Sequence, residues 1–439
     1  MPFRLALFLL AAPLACFPAS TLTEPRPYQV EHYEAALHLD AASGRLTGTV
    51  RLRVRSLATA LRTVDLDADG LSITEVRAGG HPLRFLERPD AAVGGTLAIA
   101  LHRPLTLGRR CVLTLRYTGT PKRGLRLFPD QVWTAFSTSY WLPSDSRPDH
   151  RATIQLNLDV PEGWQVVANG RCIRQQVRRG RLLSTWSQPV PLPSFVFGFA
   201  AGRFQLAEED HGGVRLRLLS ARHTPDELRR LSALTKPMLG FFAERAGVLY
   251  PGASYTQVFA HETPMQEVGW FTLLPEQYAD DVLSHPDDLW LMAHELAHQW
   301  WGIGVTCRTW SDFWLNEGVA TFLADVYLGE LFGAARYQRE IERSRQVWED
   351  LRQNGEDRPL YFTRWTTPQQ AGGRLPYHKG AWVLHLLREE IGADAFWRGF
   401  SAYTQEHWQG SATSADLQQA MERASGRSLA AFFGAWVYE

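Results

Sequence analysis

Lysine is nearly absent from this sequence. Of 46 Lys and Arg residues, only Lys122, Lys236 and Lys379 are lysine, a bias that reads as the codon usage of a GC-rich genome. Net charge is missing too. The 46 basic residues are matched by 46 acidic ones, which removes the electrostatic footprint of a nucleic-acid or polyanion binder. Cysteine is scarce, with Cys16, Cys111, Cys172 and Cys307 as the whole set. So few cysteines give no disulfide framework, though they leave room for one bridge between Cys111 and Cys172. There is no internal repeat and no low-complexity tract. Beyond the first residues no apolar run is long enough to cross a bilayer as a helix.

The start of the chain does carry a signal. Arg4 precedes the apolar run Leu5-Ala6-Leu7-Phe8-Leu9-Leu10-Ala11-Ala12, with small residues behind it. That pattern reads as a secretory signal over residues 1–19, too short to anchor in a membrane. It predicts an exported bacterial protein, periplasmic or extracellular. Leu14-Ala15-Cys16 adds a second reading, a lipoprotein signal with a lipid anchor on Cys16. Pro13 fits that poorly, so ordinary cleavage nearby is preferred.

The whole chain, 439 residues at 45% hydrophobic content, is ample for two cores. Over residues 26–204 apolar positions recur with period two, as in Val50-Leu52-Val54 and Ile154-Leu156-Leu158-Val160. Turn signals such as Asp69-Gly70 and Pro161-Glu162-Gly163 separate the runs. This predicts an antiparallel β-sandwich or saddle, solvated on one side. From 205 to 439 the period changes. Thr224-Pro225-Asp226-Glu227 is a capping box opening a helix to about Gly247. Short strands follow at Tyr255–Phe259 and Phe271–Leu274, then helices near 334–353, 379–390, 395–406 and 414–425. The fold class is α+β, in two domains.

The most informative segment is His294-Glu295-Leu296-Ala297-His298. Histidines at i and i+4 share one helix face and can reach a single ion, with Glu295 beside them as a general base. Glu317, across an eighteen-residue spacer, is the only charge in the apolar run Phe313–Leu323 and offers a third ligand. Three protein ligands leave an open position for water, which marks a catalytic zinc site. The HExxH helix is expected to start at Ser284-His285-Pro286-Asp287-Asp288 and to stop at Gly302. The Glu317 helix is expected to be capped by Ser311-Asp312.

With these residues in place, His294–Gly302, Val305-Thr306 and Trp314-Leu315-Asn316-Glu317-Gly318-Val319-Ala320 resemble the M1 (gluzincin) zinc metallopeptidases, the family of aminopeptidase N and leukotriene A4 hydrolase. Tyr377-His378-Lys379-Gly380 is similar to the family's Tyr-x-Lys-Gly segment. The resemblance implies a β-rich N-terminal domain and a thermolysin-like, mostly helical catalytic domain holding one zinc on His294, His298 and Glu317. It also implies Glu295 as base and Tyr377 as the phenol that stabilises the oxyanion. Larger members add a C-terminal helical domain. The likeness is to a short form, with a more open cleft.

One segment departs from the pattern. The family's exopeptidases carry a Gly-x-Met-Glu-Asn strand that pairs with substrate and grips the free α-amine. Here it reads Thr263-Pro264-Met265-Gln266-Glu267-Val268-Gly269. Met265, Gln266, Glu267 and Gly269 are the substrate-binding candidates. A loose match puts Ser137, in Thr134-Ala135-Phe136-Ser137, where a second amine-binding acid often stands. A neutral Gln266 cannot pair with an ammonium, and Glu267 replaces it only if the strand slips by one residue or bulges. Either the enzyme is an aminopeptidase of altered register, the reading ranked first, or the subsite is neutral and endopeptidase or blocked-peptide specificity follows. A third reading is a non-catalytic periplasmic zinc-binding or scaffolding protein. The expected partner is a peptide. Trp270 is kept as a pocket candidate, and Trp290, Trp300, Trp301 and Trp314 as core.

Overall fold

The computed structural model describes residues 26–88, 95–365 and 367–439. The proposed signal and Cys16 lie outside the described residues. The period-two runs form strands as expected. In Arg45–Ser56, Leu46, Val50, Leu52 and Val54 are buried, while Arg45, Arg51 and Arg53 face solvent. An eight-stranded sheet has the order 171–178, 181–193, 151–161, 28–40, 45–56, 110–119, 71–78, 81–82. It packs on a three-stranded sheet, and Leu52, Leu115, Val64, Leu97 and Ile99 share the core between them. The sheet is not wholly antiparallel. Tyr28–Asp40 and Arg151–Pro161 pair in parallel, His32 opposite Thr153 through His38 opposite Asp159. The chain builds the three-stranded sheet between these two strands and returns in the same direction.

The Cys111–Cys172 bridge does not form, and both thiols are free. Strands 110–119 and 171–178 have four others between them. Spacings of about 4.8 Å per strand put the two cysteines far beyond the ~7 Å reach of a disulfide.

Strand Phe199–Gly202 belongs to a four-stranded sheet of the first half, and Gln205–His211 opens a different one. This second sheet has the order 205–211, 214–220, 254–260, 271–275, 266–268. Gln266–Val268 is its short edge strand, antiparallel to Phe271–Pro275. The helix Pro225–Ala246 starts at the expected capping box and ends at Gly247, whose φ is 65°.

The two site helices start differently from the sequence expectation. Ser284 ends a separate helix, Glu276–Ser284, and the HExxH helix spans Trp290–Ala297. Its cap comes from a tertiary neighbour. The Tyr278 hydroxyl accepts from Met292 N at 3.2 Å and donates to Asp288 O at 2.9 Å. The regular helix ends at Ala297, and one looser turn carries the chain to Gly302, with φ 120°. Asp312 does not cap Trp314–Phe332. Its carboxylate accepts from Ser414 N at 2.9 Å and Ser414 Oγ at 2.8 Å, tying this corner to the helix Ser414–Ser425.

The β-rich half grips both ends of the edge strand. Before it, Trp133 Nε1 donates to His261 O at 3.0 Å. After it, Asn169 Nδ2 donates to Gly269 O at 3.1 Å. A side chain at Gly269 would place its Cβ 2.4 Å from Leu192 Cδ1 and 3.0 Å from Asn169 Nδ2, so any larger residue would have to displace these side chains.

Candidate metal centre and active site

Two three-residue ladders with a spacing of four meet here. Trp290, His294 and His298 stand at i, i+4 and i+8 on one helix, and Glu317, Thr321 and Asp325 do so on the other. Because the helices run in opposite directions, the rungs pair. His298 Nε2 lies 3.3 Å from Glu317 Oε2, His294 Nδ1 lies 3.5 Å from Thr321 Oγ1, and Trp290 Nε1 donates to Asp325 Oδ1 at 2.7 Å.

The donors at the closed end fit a zinc ion. The two Nε2 atoms are 3.1 Å apart, and Glu317 Oε2 is 3.4 Å from His294 Nε2. A tetrahedron with bonds of about 2.0–2.1 Å has edges of about 3.3–3.4 Å. His298 Nδ1 faces Trp301 O at 3.0 Å. Only a protonated Nδ1 can donate to a carbonyl, so Nε2 is left as the lone-pair nitrogen turned to the centre. Glu317 Oε2 has no hydrogen-bond donor although it is buried, the condition of a ligand atom whose partner is a cation.

Glu295 and Glu267 face the same point. Their carboxylate oxygens and a ring nitrogen of His298 all lie within 4.8 Å of one another. Each glutamate has one buried oxygen without a donor. Burial raises both carboxyls, Glu267 to about 7, and a proton on His298 would pull them back down. Glu317 goes the other way, to about 2, because against the cost of burial it has His298 and His294 beside it.

The edge strand resolves the question its sequence posed. It pairs in unbroken register, Gln266 opposite Leu273 and Glu267 opposite Thr272, with no bulge. Glu267 nevertheless turns to the centre, so the slip or bulge set as its condition is not needed. Strand alternation then sends Gln266 to the opposite face, where it too is buried. Met265, just before the strand, is half exposed.

Tyr377 arrives through a glycine crossing. A Cβ on Gly318 would sit 2.8 Å from Gly380 Cα, so the helices Trp314–Phe332 and Arg374–Ile391 touch backbone to backbone. That contact sets Tyr377 beside Glu317. The phenol ring lies 5.8 Å from the His294 ring at an interplanar angle of 19°. Burial first, then the carboxylates of Glu317, Glu267 and Glu295, hold the phenol well above its usual range, so it stays an O–H donor.

Two other candidates land elsewhere. Ser137 lies at a backbone corner, with Phe136 and Ser137 at φ 44° and 47°. Thr134 of that segment reaches the edge strand's neighbourhood, since a Cβ on Gly198 would be 2.8 Å from Thr134 Oγ1 and 3.0 Å from Val268 Cγ1. Trp270 is not turned to the centre. Its indole packs on Gly252, where an added Cβ would meet it, and lines a crevice with Arg151 and Trp408.

Sequence reasoning missed Gln299. Its Oε1 accepts from Trp270 N at 2.9 Å and its Nε2 donates to Val268 O at 3.2 Å, so the residue after His298 pins the edge strand's turn. Thr321 and Asp325 were missed as well, although they continue the i+4 spacing from Glu317.

Residues 233–436 match the Peptidase family M1 domain. The chain is 24% identical to leukotriene A-4 hydrolase of Xenopus laevis, over 87% of this chain and 66% of that protein. It is 26% identical to aminopeptidase N of Streptomyces lividans, over 75% of this chain and 41% of that protein. It spans roughly half the length of most of the curated relatives it matches, 53% for Tricorn protease-interacting factor F2 of Thermoplasma acidophilum. Among solved structures it resembles an M1 zinc metallopeptidase from Deinococcus radiodurans, TM-score 0.79 at 24% identity over 94% of both chains. A mutant of the Deinococcus enzyme bound to a Tyr-Ser-Ala substrate is alike to the same degree, with TM-score 0.79. The likeness confirms a shared two-part fold, and the match over the ladder residues makes the assignment: this chain carries a peptidase family M1 domain.

Proposed function

We propose that this chain is a zinc-dependent peptidase of aminopeptidase type, with Glu267 as the anchor for the substrate's free N-terminus. His294, His298 and Glu317 would hold one zinc, which supplies Lewis acidity, lowering the pKa of a water towards neutrality and polarising the scissile carbonyl. Glu295 accepts a proton from the attacking water and passes it to the leaving amine. The neutral Tyr377 phenol donates a hydrogen bond to the carbonyl oxygen as charge develops there. The edge strand Gln266–Val268 offers backbone groups to an extended peptide. The Tyr-Ser-Ala substrate on a structural relative supports a peptide in that role.

The observation that carries the aminopeptidase reading is the inward carboxylate of Glu267, 2% exposed and with Oε1 unpaired. A neutral subsite was the argument for blocked or internal peptides, and an acid stands there instead. A peptide panel with free and acetylated N-termini tests this. Free peptides should be cleaved at least ten times faster than their acetylated twins, and equal rates would overturn it. Turnover abolished by a chelator and restored by zinc separates the enzyme from a zinc-binding scaffold. Export belongs to the same proposal through residues 1–19. Fractionation of the expressing cell should find the protein outside the cytoplasm, and a wholly cytoplasmic pool would reject it.

A further inference from the structure

The two histidines of the centre are oriented by different means. His298 has the usual arrangement, with Nδ1 facing a backbone carbonyl at 3.0 Å. Among the described residues His294 has no such partner. Its Nδ1 meets only Thr321 Oγ1, at the 3.5 Å limit of a hydrogen bond. Its ring is instead matched by flat neighbours. Trp290 stacks on it at 4.8 Å between centroids and 18° between planes, closer than Tyr377.

Trp290 is itself fixed. It sits one helical turn before His294, where i, i+4 side chains overlie. Its indole N–H donates to Asp325 Oδ1 at 2.7 Å, a short hydrogen bond. Asp325 is 1% exposed, and its Oδ2 has no partner. Burial pushes this carboxyl well above the usual carboxylate range, and the Trp290 hydrogen bond draws it back, as a buried polar group holds the partner it has. The indole N–H is the hydrogen bond it does make, so the aspartate has little freedom to let the indole go.

We infer that Trp290, anchored by Asp325, is the positioning residue for His294, setting the plane of a metal ligand by stacking where His298 is set by a hydrogen bond. The inference rests on the zinc reading of the site and concerns only these side chains. An imidazole free to turn about its Cβ–Cγ bond swings Nε2 off the donor triangle, and outer-shell partners of metal-bound histidines typically contribute about 10- to 100-fold in metal affinity or activity.

The test uses the full chain loaded with zinc. The rate of zinc loss to excess chelator is measured for wild type, Trp290→Leu, Asp325→Leu and Asp325→Asn, with kcat and KM on a free peptide and a melting curve for each. The cobalt(II)-substituted proteins are compared by their visible absorption, which reports ligand geometry. Trp290→Leu and Asp325→Leu should lose zinc about 10- to 100-fold faster, shift the cobalt spectrum and lower kcat, with KM within about twofold. Asp325→Asn keeps an acceptor for the indole and should recover to within a few-fold of wild type. Should Trp290→Leu fail to fold, Trp290→Phe, which keeps a ring and loses the N–H, takes its place and should fall between wild type and Asp325→Leu. Unchanged zinc loss and spectra in folded variants, with only the melting temperature lowered, would overturn the inference, as would Asp325→Asn behaving like Asp325→Leu. A wild type that takes up no zinc would instead sink the functional reading on which this stands.

Discussion

Two buried knots of charge among the described residues are built on opposite rules. In the β-rich half, Arg26, Asp67, Asp145, Arg147 and His150 close on themselves. Both oxygens of Asp145 meet Arg147, at 3.0 and 2.9 Å, and Asp67 takes Arg26 at 2.6 Å and Ser146 N at 2.8 Å. In the catalytic half, Glu267, Glu295 and Glu317 crowd two imidazoles, and each keeps a buried oxygen with no donor. A closed knot contributes to folding. An open one is left short of positive charge, which suits the proposed zinc on one side and the proposed substrate amine on the other.

That contrast can be broken from either end. The largest effect should come from Glu295→Gln, which removes the proton acceptor and keeps the shape. Turnover should fall roughly 10²–10⁴-fold with zinc retained. Glu317→Gln should instead lose the zinc, while metal-free Glu295→Gln melts no lower than wild type, because burial holds that carboxyl well above its usual range. A clear drop in its metal-free melting temperature would show that the open knot stabilises the fold after all.

At the closed knot the outcome reverses. Asp145→Ala leaves the Arg147 guanidinium without its carboxylate and Arg26 with the carboxylate of Asp67 alone, and should cost about 3–5 kcal/mol, read by denaturant unfolding, with zinc stoichiometry unchanged. The sign of the pH effect follows from Asp145 being held well below the usual carboxylate range: burial works against this, and the neighbouring Arg26, His150 and Arg147 outweigh it. A depressed folded pKa gives stability that is present above the unfolded value and lost as pH falls through the folded one. The gap between wild type and Asp145→Ala should therefore narrow below about pH 4. A gap that stays constant to pH 3 would contradict the assignment.

Smaller effects sharpen the open side. Glu267→Gln should reduce kcat/KM for free peptides about 10- to 100-fold, the range of a lost charge-assisted hydrogen bond, and leave acetylated peptides unaffected. Gln299→Leu frees the strand's turn and should raise KM by several-fold, on the order of one hydrogen bond. If kcat alone falls in that variant, Gln299 acts on the metal helix and not on the strand.

The difference between the knots also explains what could be read from the sequence. The ligands were legible because helical spacing is local: His294, His298 and Glu317 announce themselves at i, i+4 and on a neighbouring apolar helix. Trp290, Thr321 and Asp325 obey the same spacing. Trp290 was read as core and the other two drew no reading, because their side chains do not advertise metal chemistry. Glu267 was visible as an acid, but its direction depends on pairing with Thr272 across the sheet, which no local pattern states. The parallel pairing of Tyr28–Asp40 with Arg151–Pro161 and the Tyr278 cap on the HExxH helix are likewise products of chain return. Period two in the first half and period 3.6 in the second were enough for the layers, though not for the order of strands within them.

The most direct test of the central claim is zinc content and peptide turnover, measured together on one preparation each of wild type and Glu295→Gln. The account predicts one zinc per chain in both proteins and turnover in the wild type alone. Turnover surviving in Glu295→Gln with its zinc in place would contradict it.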